Sequence, residues 1–224
     1  NSRVNPDEEI KMSWNQSSYV SADVRDVRVT SFLSKVYGWM FLGLLITAGT
    51  ALVVSSSQTL IETFIANQIL FWILVLGQLG LVFYLSARVE RIAPATAAGL
   101  FMLYSAMVGI TSSVIFLVYR SASIVSAFMI AGTMFGAMAV FGTLTKRSLA
   151  GVGQFMFMGL IGLIIASIVN IFLFSDMMSF VISVVGVVVF TGLTAWDAQR
   201  LKHMAVSLPD GRVGSYAVVG ALSL

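Results

Sequence analysis

The chain has 224 residues, 58% of them hydrophobic and only 10% charged, with a formal net charge of +3. A soluble domain carries about 25% charged residues, and the mean hydropathy of +0.94 leaves lipid as the solvent for much of this surface. With no cysteine and one histidine, His203, disulfides, thiolate sites and multi-histidine metal centres are excluded.

Residues 1–30 are polar, mixed in charge and without an apolar signal-peptide core. They read as a flexible cytoplasmic tail, its start at Asn1 rather than Met pointing to processing or truncation. A transmembrane helical domain follows over 31–224. Six uncharged stretches, 37–54, 69–85, 95–119, 123–144, 152–174 and 177–196, come near or reach the roughly 17–25 apolar residues of a crossing helix. A seventh opens at Gly214 and stops at Leu224, too short for a bilayer core of about 30 Å. No stretch alternates apolar with polar residues as a membrane barrel requires. The expected fold is an all-α membrane protein, a seven-helix transmembrane bundle with six complete spans and the start of a seventh.

Basic residues alternate between connections. Arg25, Arg28 and Lys35 precede the first span, Arg88 and Arg91 follow the second, Lys146 and Arg147 the fourth, and Arg200, Lys202 and Arg212 the sixth. The first and fifth connections hold only Glu62 and Asp176, and the third only Arg120. Lys/Arg-rich connections face the cytoplasm, so the N-terminus is expected there. The same placement accounts for the basic balance without nucleic acid. Within the fourth span, Gly132 and Gly136 form a G-x-x-x-G, expected to serve close helix packing.

Few polar groups lie in the spans. Asp197 stands at the end of the sixth, in Thr194-Ala-Trp-Asp-Ala-Gln-Arg. At 100° per residue, Ser179, Ser183, Gly186 and Phe190 all fall within about 40° of Asp197. A carboxylate closing such a stripe is a functional hypothesis by default. Desolvation and nearby cations tune a carboxyl in opposite directions, which makes Asp197 a candidate pH-responsive gate or calcium and proton site. The competing reading is an interfacial residue paired with Arg200, one turn on. Gln78, Asn170 and Ser183 are candidates for the same polar pathway, and Arg200 for its latch. For Gln78 and Asn170 the simpler role is an interhelical hydrogen bond. His203 reads as a solvated loop residue. No G-x-S-x-G, H-E-x-x-H, P-loop or dinucleotide fingerprint is present, so an enzyme is not expected.

Several runs resemble the Bax-inhibitor family, in its bacterial inner-membrane form. They are Lys35-Val-Tyr-Gly-Trp-Met-Phe-Leu-Gly-Leu, Phe101-Met-Leu-Tyr-Ser-Ala, Phe135-Gly-Ala-Met with Thr145-Lys-Arg-Ser-Leu, and Thr194-Ala-Trp-Asp-Ala-Gln-Arg-Leu-Lys. The resemblance runs from about Phe32 to Leu224. It implies seven helices, a cytoplasmic N-terminus, a multi-pass location in the bacterial inner (plasma) membrane, and a pH-sensitive calcium leak controlled by aspartates on helices six and seven. Asp197 matches the first. The second would fall beyond Leu224. The helix-two arginine that latches onto the helix-six aspartate in some members has no aligned counterpart, Arg88 being offset. Gln78 stands where some members carry an acid. One carboxylate holds calcium weakly, because calcium takes 6–8 oxygen ligands. No bound cofactor is expected beyond possible calcium. The expected partners are the lipid bilayer, calcium ions and, in an alternative non-conducting regulatory role, a membrane-anchored AAA protease that would grip the tail.

Overall fold

The computed structural model describes the backbone of residues 6–89, 91–208 and 213–224, and side chains within these from residue 26 onward. The described residues form helices and no strands. Helix α1 runs Pro6–Ser55, the short α2 Gln58–Ile61, and a π-helical turn Glu62–Ala66. Then come α3 Gln68–Arg88, α4 Pro94–Ser112, the short α5 Val114–Val118, α6 Ser121–Leu144, α7 Ala150–Leu173, α8 Asp176–Ser207 and α9 Val213–Ser223. Six helical segments are long and apolar enough to cross a membrane, α4 and α5 acting as one. The chain is a multi-pass membrane protein.

Two boundaries depart from the sequence reading. α1 begins at Pro6, within the stretch expected to be a flexible tail, whose residues 1–5 lie outside the described residues. Proline suits the first helical position, Asp7, Glu8 and Glu9 favour a helix N-terminus, and neither glycine nor proline interrupts the run before Gly38. α8 does not end at Asp197 but continues to Ser207. Its last three turns carry Ala198, Leu201 and Ala205, all buried, so packing extends a helix whose charges marked an end.

The helices form two groups. α1, α3, α4 and α9 pack together, α8 lies between α6 and α7, and α1 joins the groups by touching α8. The buried core gathers toward the Lys/Arg-rich end. Phe32, Leu33 and Val36 of α1 meet Leu85 of α3, Ala97 and Phe101 of α4, Leu201 and Ala205 of α8, and Ala217 and Val218 of α9. Along the rest of the spans large apolar side chains point outward, as expected where lipid is the solvent.

Close contacts rely on glycine, but not on the expected pair. A β-carbon at Gly132 or Gly136 would meet nothing within 4 Å. Crowded glycines include Gly43 against the Phe101 ring, Gly109 against Thr47, Gly142 against the Ala195 carbonyl and Gly153 against the Trp196 indole. Thr47 Oγ1 also donates to the Ser105 carbonyl at 2.9 Å, locking α1 to α4 beside Gly109.

Candidate functional site

Asp197 lies about 31 Å along α8 from Asp176 at 1.5 Å per residue, which sets it near one rim of the hydrocarbon layer. The helix is held there by its neighbours. Gly142 of α6 and Gly153 of α7 let α8 approach closely at Ala195 and Trp196. Two residues beyond Asp197, the buried Gln199 accepts from the Leu149 N–H at 2.8 Å. It also donates to the Arg147 carbonyl at 2.9 Å. Lys202 Nζ donates to the Thr143 carbonyl at 2.7 Å, placing a cation at the C-terminus of α6, where the helix dipole favours one. The α6–α7 connection is thus fastened to α8 on both sides of one turn.

Asp197 is half-buried and lines two adjoining cavities. One, of about 380 Å³, lies between α7, α8 and the end of α9, with Phe157, Phe190, Thr194, Trp196, Arg200 and Ser223 in its wall. The other, of about 300 Å³, lies toward α3 and α9, with Ser86, Arg200, Met204, Tyr216 and Ser223. A third, of about 590 Å³, continues from the first through Phe190 and Thr194 to Gly186 and Ser183, with α6 as its far wall. The first and third share Phe190 and Thr194, and the first and second share Asp197 and Arg200, so the three border α8 as one groove.

The polar candidates separate by place. Ser183 and Arg200 share this groove with Asp197. Ser183 Oγ donates to the Ser179 carbonyl at 2.8 Å within its own helix, leaving oxygen lone pairs for the groove. Gln78 lies elsewhere, on α3, where Thr111 Oγ1 of α4 reaches its Oε1 at 3.3 Å. Asn170 is at the opposite end of α8. Its Nδ2 donates to Ser179 Oγ at 2.8 Å and its Oδ1 accepts from the Ser175 N–H at 3.2 Å, closing the α7–α8 turn around Phe174, which is left-handed at φ 48°. His203 is exposed.

Trp196 escaped the sequence reading. The Arg200 guanidinium sits 5.7 Å from the centre of its ring, a cation–π distance. The i, i+4 spacing of Trp196 and Arg200 in a helical run was the signal for it. Ser86, Tyr216 and Ser223 escaped as well, because they line the Asp197 cavities from other helices. Among the described residues no group of three His, Cys, Asp or Glu side chains comes together. Ser86, Thr194, Tyr216 and Ser223 are the hydroxyl-bearing residues in the walls of the two cavities that Asp197 lines.

The family described as "Inhibitor of apoptosis-promoting Bax1" matches residues 29–224. The chain belongs to the Bax-inhibitor family. Among its relatives, the inner membrane protein YbhL of Escherichia coli K12 is 42% identical over 197 residues, covering 87% of this chain and 84% of that one. A protein of Borreliella burgdorferi is 43% identical over 195 residues, 86% of this chain and 84% of its own. A membrane protein of Streptococcus pyogenes serotype M1 is 35% identical over 202 residues, 89% and 87% of the two chains. The match takes in nearly all of the first span, the other five and the whole groove of this Bax-inhibitor family member.

Proposed function

We propose that the chain is a pH-sensitive calcium leak of the Bax-inhibitor type, with Asp197 as its gate. The observation that carries this reading is the groove. Three adjoining cavities border α8, and Asp197 stands where two of them meet. A carboxylate at that junction attracts cations when ionised and loses that attraction when protonated, so protons and calcium compete for one group. With one carboxylate and nearby hydroxyls, the cation is held loosely enough to leave, which permeation requires. In this reading the Lys/Arg-rich ends, Asp197 among them, face the cytoplasm, and the role is transport rather than catalysis.

The test is calcium flux in liposomes for the wild type and Asp197→Asn across a pH series. Wild-type flux falls as the medium is acidified, and Asp197→Asn is low and indifferent to pH. Equal, pH-independent flux in both proteins removes Asp197 from the mechanism.

A second reading, a non-conducting regulator engaged by a membrane-anchored AAA protease, is favoured by the length of α1. Fifty residues in one helix measure about 75 Å, more than twice the hydrocarbon layer, which leaves an arm for a partner to grip. Deleting residues 1–25 and following turnover in membranes tests it. An unchanged half-life and unchanged protease capture sink it.

A further inference from the structure

We propose that Trp196 is a positioning residue that holds Arg200 away from Asp197, keeping the carboxylate free for mobile cations. The proposal rests on the cation-leak reading above and adds a determinant to the same groove.

Helical side chains lean toward the N-terminus and cover the positions three and four residues earlier. For Arg200 those positions are Asp197 and Trp196, so one guanidinium has two competing partners within reach of the same turn. The structure places it over Trp196, 5.7 Å from the ring centre. Among the described residues no ion pair joins it to Asp197, though the two charges remain near enough to act on each other. What fixes the choice is the indole. It lies against α7 at Gly153, where the missing side chain makes room for the ring. The face it presents to Arg200 is therefore set by a neighbouring helix rather than by rotamer chance. Without the indole, Arg200 would fall to Asp197, neutralise it and plug the junction of the two cavities with its own head group.

The experiment uses full-length protein in liposomes with four forms: wild type, Trp196→Leu, Arg200→Gln and the double variant. Loss of a cation–π contact at an exposed site shifts a local equilibrium about 3-fold. Calcium flux in Trp196→Leu is expected to fall by about that factor. In the double variant it returns at least to the wild-type level, because the competing cation is gone. A double variant as impaired as Trp196→Leu alone overturns the proposal, since a packing defect at Gly153 is not repaired at position 200. If Trp196→Leu does not fold, Trp196→Phe keeps a ring against Gly153 and gives a smaller loss with the same rescue.

A second measurement is independent of flux. A double-mutant cycle of Asp197→Asn and Arg200→Gln on thermal inactivation reads the coupling between the two charges. That coupling is expected to be larger in the Trp196→Leu background than with Trp196 present. Equal coupling in both backgrounds overturns the positioning role even where the protein conducts. Increased coupling in a protein that carries no calcium upholds it while the leak reading falls.

Discussion

Gly142 of α6 lies so close to the backbone carbonyl of Ala195 on α8 that a methyl group at position 142 would overlap it. Backbone cannot swing aside as a flexible side chain does, so α8 itself would have to shift, two residues from Asp197. Gly142→Ala is expected to cost about 1–3 kcal/mol through overpacking and to lower calcium flux. Gly132→Ala, with open space around it, is expected to leave both unchanged. Thermal inactivation in one detergent, run on both variants, checks the contrast.

Gln199 is buried and spends both ends of its amide on the α6–α7 connection. Gln199→Leu leaves the Leu149 N–H and the Arg147 carbonyl without that partner, at about 1–3 kcal/mol. The expected outcome is faster amide exchange at Leu149 and faster proteolysis between Thr145 and Leu149. An exchange rate equal to wild type counts against the clamp.

Phe190 lines both of the cavities that meet on the α6–α7 side of Asp197. Phe190→Ala widens their junction and is expected to raise calcium flux several-fold, while Phe190→Trp lowers it. Stopped-flow uptake with a trapped calcium dye separates the two. Identical uptake in both variants means that ions do not pass this point.

Gln78 and Asn170 are expected to matter for stability alone. Gln78→Leu removes one interhelical bond from a Thr111 hydroxyl that also reaches two carbonyls of its own helix. The cost is about 0.6 kcal/mol. Asn170→Leu opens the turn around Phe174, about 31 Å along α8 from Asp197, at about 1 kcal/mol. Calcium flux per folded protein stays at the wild-type level in both. A loss of flux in either variant would extend the pathway to that residue.

The spans were legible because each is a long uncharged run, and length with hydropathy is nearly sufficient for a helix in lipid. Asp197 was legible because a carboxylate among apolar residues has few explanations. The rest depended on which faces meet. Arg200 and Lys202 hid the continuation of α8, although Ala198, Leu201 and Ala205 carry the spacing of a buried helix face. Nothing in the sequence separates Gly142 and Gly153, which touch a neighbour, from Gly132 and Gly136, which do not. Gln199 was equally silent, since its partners lie in a connection about 50 residues earlier. A glycine or an amide acquires its role from the opposite surface.

The concentration of buried contacts at the Lys/Arg-rich end has a mechanical consequence. Helices gripped most firmly at one extremity, with fewer buried residues such as Ala51, Val54 and Ser113 toward the other, are expected to pivot about the firm end. A slight rotation at Val36, Leu201 and Val218 is then magnified toward the distant rim. Membrane thickness and lateral pressure are expected to act there first, while the Asp197 turn, beside the fulcrum, travels least.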